Sequence, residues 1–185
     1  MTIPHEQFYF IRHGETDWNR RRIYTGSKDI PLNQFGIRQA ESAAHILKDE
    51  PIQHIVSSPL IRAHHTAEII AEHIGSAITI LDDLKECCWG VMEGQLVDDG
   101  TIFQRWANGS PHAGAEKVED FDQRVMRGFQ LALSIPGPIL IVSHGGVYST
   151  LQRTIFNGAV RVENCSPICH RPPEPPNASW FICGL

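Results

Sequence analysis

The feature that most constrains the fold is a short apolar run, Phe8–Ile11, that leads directly into an Arg-His-Gly triplet. Its aromatic and β-branched residues are typical of a buried strand. The run Ile139–Val142 has the same character and leads into Ser-His-Gly-Gly. Two buried strands that each end on a histidine followed by glycine constrain both the fold and the position of any chemistry.

Segments with helical spacing separate the predicted strands. Apolar residues recur at intervals of three and four in residues 37–47, 63–74, 118–132 and 147–155. The sequence also predicts strands at His54–Ser57, Ala77–Leu81 and Ser179–Cys183. This alternation predicts an α/β fold, a three-layer α/β/α sandwich with a mostly parallel central sheet.

The length of 185 residues suits a single domain that spans residues 1–185. Residues 87–116 show no clear periodicity, and we expect a short lid at about 90–116 with at most short helices. A proline cluster at 172–176 is interpreted as a stiff surface turn, with a polyproline ligand as the alternative.

The composition excludes several classes of partner. A formal net charge of −5 without a basic half argues against nucleic acid. No apolar stretch approaches the roughly 20 residues that span a membrane, and no secretory signal is visible at the start. Five cysteines in such a chain suggest reduced thiols and a cytoplasmic protein.

The chemistry-bearing residues follow the predicted strands. Arg12 and His13 end the first strand, Arg62 lies one turn into the helix after the second, and His144 follows the fourth. Ligands of open parallel sheets bind beyond the carboxyl ends of the strands, so these residues are expected at one edge. Two arginines there match the geometry of a phosphate group. The glycines at 14, 145 and 146 are expected to let the backbone approach such a ligand closely.

Four sequence blocks then identify a resemblance. In order along the chain they are Arg12-His13-Gly14-Glu15-Thr16 with Trp18-Asn19, Tyr24-Thr25-Gly26, Asp29–Leu32 and Gly36; Ser57–Ala67; Leu84-Lys85-Glu86 with Gly90 and Glu93-Gly94; and Val142–Gly146. Together these blocks resemble the signature of the histidine phosphatase superfamily, the phosphoglycerate-mutase-like proteins. The resemblance covers roughly residues 8–150 and implies the phosphoglycerate-mutase-like fold.

The resemblance also implies roles for individual residues. His13 would be the nucleophile that accepts the phosphoryl group, and Arg12, Arg62 and His144 would bind its oxygens. Glu86 would be the general acid and base, with Glu93 as the alternative carboxylate. Substrate-binding roles would fall to Asn19, Thr25, Gly26 and Gly145. Neither a cofactor nor a metal is expected.

Three activities are open at this point. The first is a metal-independent phosphatase that hydrolyses phosphate monoesters through a phosphohistidine on His13. The second is a phosphoglycerate mutase, and the third a non-catalytic protein that binds phosphorylated ligands. The short stretch between Gly94 and Glu116, and a chain that ends just beyond its last strand, favour hydrolysis. The expected partner is a phosphorylated small molecule, and a homodimer is an open alternative.

Other clusters have two interpretations each. Arg20–Arg22 can select an anionic substrate or form a solvated face. The aspartate pairs at 82–83 and 98–99 can hold a divalent metal or lie in solvated turns. Cys165, Cys169 and His170 can be part of a zinc site completed by Cys87 or Cys88. Glu116 can close over the site or begin a helix. His64 and His65 can line the rim or the surface.

Overall fold

The structure, a computed structural model, describes residues 6–156, 160–173 and 180–183. The strands of this part of the chain are β1 (Phe8–Arg12), β2 (His54–Ser57), β3 (Ala77–Ile80), β4 (Ile139–Ser143), β5 (Ile168–Arg171) and β6 (Phe181–Cys183). They form one sheet in the order β3-β2-β4-β1-β5-β6. The first four strands are parallel, and β5 and β6 extend the sheet with antiparallel pairing.

The helices are α1 (Asp17–Arg20), α2 (Gln34–Leu47), α3 (Ile61–Ile74), α4 (Thr101–Ala107), α5 (Val118–Leu133) and α6 (Gly145–Thr154). Two single 3₁₀ turns lie at Asp82–Leu84 and Gly90–Met92. The four segments with helical spacing form α2, α3, α5 and α6. Among the described helices, none combines the length and the apolar character that crossing a bilayer requires.

The residues of β1 alternate between two helical layers. Phe8 and Phe10 pack into the core cluster that contains the buried faces of α5 and α6. Tyr9 and Ile11 point to the opposite face and pack against α2 and α3. Because both faces of the strand are covered, it has no solvent-facing position that would favour a polar residue. The three-layer sandwich with a mostly parallel sheet is confirmed.

The register of the central strands brings their carboxyl ends to one edge. Arg12 of β1 is the partner of Ser143 in β4, and Ser57 of β2 is the partner of Val142. The backbone N–H of His13 then donates to the Ser143 carbonyl at 3.0 Å. Residues that directly follow these strands therefore lie within a few ångströms of one another.

The prediction that all five cysteines are reduced is wrong for two of them. Cys169 and Cys183 are register partners on β5 and β6 and form a disulfide. Strand β5 itself was not predicted, because its sequence, Ile-Cys-His-Arg, is too short and mixed to show a pattern. The disulfide also occupies a sulfur that the zinc interpretation needed. The predicted last strand begins at Phe181, and most of the proline cluster lies outside the described residues.

The segment expected as a lid packs against the main core. Its helix α4 buries Trp106, whose indole N–H donates to the Glu116 carbonyl at 2.7 Å. The Trp106 ring also contacts those of Trp89 and Phe121, at centroid distances of 5.2 and 5.9 Å. These contacts fix the segment on the side of the sheet covered by α5.

Candidate active site

A cavity of about 400 Å³ opens at the carboxyl edge of the parallel strands. All the residues that the sequence assigned to the site line it, except His144 and Gly145. Its described lining contains four arginines and two glutamates, although the chain as a whole carries a net charge of −5. The cavity therefore has the local positive charge that an anionic ligand requires.

His13 is almost completely buried, with 3% of its surface exposed. Its Nδ1 lies 2.7 Å from the Gly14 carbonyl, and the Nε–H of Arg62 donates to its Nε2 at 3.2 Å. These contacts require a proton on Nδ1 and a lone pair on Nε2. Burial, and then the positive charges of Arg62 and Arg12, hold the pKa of His13 well below its ordinary value.

The two arginines beside His13 are held differently. Arg62 is 1% exposed, and its two terminal nitrogens donate to the carbonyls of Gly26 and Lys28 at 2.8 Å each. Burial lowers the pKa of Arg62 to about 10, so it remains a cation at neutral pH. The Nε of Arg12 is buried without a partner among the described residues. An unpaired buried donor beside His13 is suited to an oxygen of an anionic ligand.

Two described carboxylates line the cavity, and Glu86 is the one that the sequence predicted; the other, Glu163, pairs with Arg161. Its Oε1 accepts from the backbone N–H of Cys87 at 2.9 Å and its Oε2 from that of Gly146 at 3.1 Å. The alternative, Glu93, is not part of the lining. Its Oε1 accepts from the Ser27 backbone N–H at 2.8 Å and from the Trp89 N–H at 3.1 Å, so it closes the turn around Gly26.

Arg124 fixes the chain that precedes Glu86. Its Nη1 donates to the carbonyls of Asp83 and Lys85 at 3.0 and 2.9 Å. Its Nε and Nη2 form a bidentate pair with Glu116 at 2.9 and 2.7 Å. Glu116 therefore braces this loop through Arg124, and it does not close over the cavity.

His144 is fully buried behind the cavity, with its ring centroid 5.2 Å from that of His13. Its Nε2 lies 2.8 Å from Ser58 Oγ, which also accepts from the Leu60 N–H. A proton on Nδ1 fits these contacts, since Ser58 can then donate to Nε2. Nδ1 has no partner among the described residues. Burial, and then the charge of Arg62, lower the pKa of His144.

The neutral residues of the predicted site line the cavity from the segment after His13. The Oδ1 of Asn19 accepts from the backbone N–H of Thr16, so its Nδ2 is the group left to donate to a ligand. Thr25 directs its hydroxyl to the Ile23 carbonyl at 3.4 Å. Gly26 has a φ of 54°, which glycine adopts without the strain that a side chain would add.

The interpretation that three glycines make room for a ligand is wrong for at least two of them. A Cβ on Gly14 would lie 2.5 Å from the Gly36 carbonyl oxygen, so this glycine allows two backbone segments to pack together. A Cβ on Gly146 would lie 2.2 Å from Glu86 Oε1. Gly145 lies outside the cavity around His13, and a Cβ there would meet only ordinary contacts with Arg12.

Two residues that support the site were not predicted. Asn164 donates from Nδ2 to the His13 carbonyl at 2.6 Å, and the next N–H, of Cys165, donates to the Arg12 carbonyl at 2.9 Å. Thr66 accepts from the Gly14 N–H at 3.1 Å. Thr66 lies one helical turn after Arg62, a spacing that placed it near the site. No sequence pattern pointed to Asn164.

The aspartate pairs with two interpretations form ion pairs or hydrogen bonds within the fold, and one of the two histidines lies near a carboxylate of its own helix. Asp82 pairs with Lys85 at 2.7 Å, and Asp98 accepts from the Tyr24 hydroxyl at 2.9 Å. In the part of the chain that the structure describes, no three His, Cys, Asp or Glu residues group as metal ligands. His64 lies 3.7 Å from Glu68 on α3, outside the cavity lining. Of the three consecutive arginines, Arg20–Arg22, only Arg22 lines the cavity.

Two proteins that are similar to this chain in sequence have names that fit a site for phosphorylated ligands. The chain is 38% identical over 150 residues to an uncharacterized phosphatase, PhoE, of Bacillus subtilis, which covers 80% of this chain and 76% of that protein. It is 34% identical over 176 residues to a probable phosphoglycerate mutase, GpmB, of Yersinia pestis, covering 86% of this chain and 82% of that protein.

Solved structures share the fold over nearly the whole chain. A phosphoglycerate mutase from Thermus thermophilus superposes with a TM-score of 0.74 at 27% identity, covering 97% of this chain and 99% of its own. A mycobacterial glucosyl-3-phosphoglycerate phosphatase in complex with VO₃ gives a TM-score of 0.83 at 23% identity, covering 97% and 98%. The profile of the histidine phosphatase superfamily (branch 1) matches residues 8–166, and the chain belongs to this superfamily.

Proposed function

We propose that this protein is a metal-independent phosphatase that hydrolyses phosphate monoesters through a phosphohistidine on His13. The proposal rests mainly on His13. Its imidazole is buried and neutral, and its unprotonated Nε2 accepts a hydrogen bond from the guanidinium of Arg62, which lines the same cavity. A nucleophilic imidazole needs a free nitrogen, and a phosphoryl group needs positive charge around it. The arginines supply that charge without a metal ion.

In the first step, Nε2 of His13 attacks the phosphorus atom and the bond from phosphorus to the ester oxygen breaks. Arg12, Arg62 and the Nδ1–H of His144 stabilise the phosphoryl oxygens, and Asn19 adds a neutral donor. Protonated Glu86 gives its proton to the departing oxygen, which leaves as an alcohol. The proton on Nδ1 of His13 stays there and keeps donating to the Gly14 carbonyl, whose partial negative charge stabilises the positive charge of the phosphorylated ring.

In the second step, water attacks the phosphorus of the phosphohistidine. Glu86 is now a carboxylate and accepts the proton of the water, while the bond from phosphorus to Nε2 breaks. Inorganic phosphate leaves, and both His13 and Glu86 return to their starting protonation states. The backbone N–H groups that hold Glu86 keep it in one place for both proton transfers.

The second candidate is a phosphoglycerate mutase, which the similarity to the Yersinia protein of that name favours. In a mutase the phosphohistidine returns its phosphoryl group to the sugar acid instead of water. The substrate in either case is a phosphorylated small molecule. A cytoplasmic location and a homodimer remain proposals that cell fractionation and light scattering test.

The test is a phosphatase assay on a panel of phosphate monoesters with a chelator present. We expect release of phosphate, loss of that release in His13→Ala, and an acid-labile, base-stable phosphoryl label on the wild-type protein. Dependence on added metal would contradict the mechanism. Interconversion of phosphoglycerates faster than their hydrolysis would favour the mutase, and phosphate binding without turnover of any ester would favour a binding protein.

A further inference from the structure

Arg22 occupies an unusual backbone conformation at the mouth of the cavity. Its φ is 54°, in the left-handed region that residues with long side chains rarely adopt. Three hydrogen bonds fix the backbone there. The Arg22 N–H donates to the Asn19 carbonyl at 3.0 Å, the Arg22 carbonyl accepts from Val97 at 2.7 Å, and Ile23 donates to Trp18 at 2.8 Å. A strained conformation that is held so completely points to a functional position.

The Arg22 side chain carries a positive charge that has no described partner. It is exposed and lines the same cavity as His13. No described residue forms a hydrogen bond or ion pair with its guanidinium. Arg161 also lines the cavity, but its Nε pairs with Glu163 at 2.8 Å. Arg22 therefore offers a full set of donors to a ligand, whereas the charge of Arg161 is already partly neutralised.

Two acidic residues, one next to a backbone partner of Arg22 and one five residues before it in the chain, do not neutralise Arg22 through a described contact. Asp98 follows Val97, the residue that donates to the Arg22 carbonyl. Its carboxylate instead accepts from the Tyr24 hydroxyl at 2.9 Å and from the Ile102 N–H at 2.9 Å. Asp17 pairs with Arg20 at 3.4 Å. The positive charge of Arg22 is thus left facing the entrance of the cavity.

We propose that Arg22 is a specificity-determining residue that binds a second anionic group, a carboxylate or a further phosphate, on the leaving group of the substrate. The inference rests on the proposed phosphatase activity and narrows its substrates to esters that carry two anionic groups. One group binds at His13, Arg12 and Arg62, and the other binds at Arg22. Esters with a neutral leaving group lose the second interaction and keep the first.

The test uses pairs of esters that differ mainly in one anionic group. Phenyl phosphate is compared with 4-carboxyphenyl phosphate, and fructose 1-phosphate with fructose 1,6-bisphosphate. A charge-assisted pair predicts that the wild-type protein prefers the charged member by roughly 10- to 100-fold in kcat/KM. Arg22→Ala should remove most of this preference while kcat/KM for the neutral member changes less than about threefold. The two pairs distinguish a carboxylate from a second phosphate.

Arg20→Ala is the matched control, because it removes the same charge from the same segment at a side chain that pairs with Asp17 outside the cavity. It should leave the preference intact. Arg22→Gly separates strain from binding, since glycine adopts a positive φ freely. This variant should lose the preference and melt no lower than the wild type, so a folding defect cannot explain the result.

The outcomes separate this inference from the proposed function. Equal loss of kcat/KM for both members of a pair, or an effect of Arg20→Ala as large as that of Arg22→Ala, would overturn the role of Arg22 alone. If the wild type hydrolyses no ester, the proposed phosphatase fails, and calorimetric binding of the same esters tests Arg22 directly. Equal affinity for charged and neutral members, or no effect of Arg22→Ala on that affinity, would then overturn the inference.

Discussion

The Nε of Arg62 lies 3.2 Å from Nε2 of His13, and both side chains are almost excluded from solvent. A guanidinium nitrogen can only donate, so this contact requires an unprotonated Nε2. When a phosphoryl group approaches Nε2, the same N–H is already within reach of its oxygens. One contact therefore selects the tautomer with a free Nε2 and places a positive charge beside it, as the proposed reaction requires.

The first prediction concerns the pH dependence of activity. Because burial and the charge of Arg62 lower the pKa of His13, its protonation should not reduce kcat/KM as pH falls through 6.5. Arg62→Gln removes the charge and should raise the His13 pKa part of the way towards 6.5, while kcat falls roughly 10²- to 10³-fold. The measurement is a ¹⁵N-histidine NMR titration combined with a pH–rate profile.

Arg62→Lys is the control for this prediction. It keeps a positive charge but loses the planar fork that donates to Gly26 and Lys28. We expect kcat to fall with the His13 pKa staying nearer to that of the wild type than in Arg62→Gln. An ordinary His13 pKa in the wild-type protein, or the same pKa in both variants, would contradict the assignment.

The second prediction concerns the helix start that holds Glu86. Gly146→Ala would place a methyl group 2.2 Å from the present position of Glu86 Oε1, so the carboxylate must leave the place from which the proposed mechanism has it transfer a proton. We expect kcat to fall roughly 10²-fold with a small change in KM, since proton transfer is impaired more than binding. Steady-state kinetics with an ester of poor leaving group measures this most directly.

A comparison with Gly145→Ala tests the same idea. This substitution adds the same methyl group one residue earlier, where its nearest contact would be Arg12 Nε at 3.7 Å. We expect a loss of less than about fivefold, because an ordinary van der Waals contact does not displace a side chain. A larger loss for Gly145→Ala than for Gly146→Ala would favour the interpretation from sequence, in which Gly145 contacts the substrate.

The sequence predicts the parts of the site that follow directly from buried strands. His13 and His144 each come after an apolar run, and parallel pairing of β1 with β4 brings such positions together. Asn164 lies in a segment without periodicity, and only the antiparallel course of the chain into β5 carries it to His13. Contacts of that kind depend on tertiary packing, which leaves no local pattern.

Glycines illustrate a second limit. The sequence shows that Gly14 and Gly146 lie at strand ends, and it suggested that both make room for a ligand. The structure shows instead that Gly14 packs on Gly36 and that Gly146 packs on Glu86. A glycine leaves space for whichever part of the protein packs against it. That neighbour is set by the tertiary fold, so the local sequence around the glycine does not identify it.

The third prediction concerns Asn164 as a positioning residue. Asn164→Asp keeps the shape but replaces the donor to the His13 carbonyl with an oxygen, so the backbone that carries His13 should shift. We expect a loss of stability of about 1–3 kcal/mol and a fall in kcat of about tenfold. Denaturant unfolding and kinetics measure these two effects.

Asn164→Ser serves as the milder variant, since it removes the repulsive oxygen and retains a small polar side chain. It should recover part of the stability. If Asn164→Asp retained wild-type kcat and stability, the contact with the His13 carbonyl would have no role in positioning the nucleophile.

The fourth prediction concerns the disulfide between β5 and β6. The two cysteines are separated by 14 residues, a loop for which a cross-link is worth roughly 3 kcal/mol in the chain-entropy description. We expect Cys183→Ser, or reduction of the wild type, to lower the free energy of unfolding by up to that amount. Alkylation of the protein in lysed cells, followed by mass spectrometry, shows whether the bond exists in its own compartment.

Cys88→Ser is the matched control, because Cys88 is a free thiol in a different part of the chain. Its substitution should leave the response to reductant unchanged. Full alkylation of Cys169 and Cys183 in the cell would mean that both are reduced there, as the sequence predicts, and would support a cytoplasmic location.

The fifth prediction concerns His170, which is buried between the rings of Phe8 and Phe156 at centroid distances of 4.7 and 4.5 Å. Burial lowers its pKa to about 4. Between pH 6.5 and 4 the unfolded chain therefore binds a proton that the folded chain does not, so the free energy of unfolding falls as pH falls. The contribution reaches about 3 kcal/mol at pH 4.

His170→Phe removes this titration and should flatten the fall in stability between pH 6.5 and 4, which denaturant unfolding at several pH values measures. The Tyr148 hydroxyl, 3.3 Å from His170 Nε2, loses its partner, but that cost does not vary with pH in this range, so slopes rather than absolute values are compared. His45→Gln, which changes an exposed histidine on α2, is the control for replacing a histidine elsewhere in the chain. Buried His13 and His144 keep part of the slope in every variant, because their pKa values are also lowered. Identical slopes in His170→Phe and the wild type would mean that His170 does not contribute to acid destabilisation.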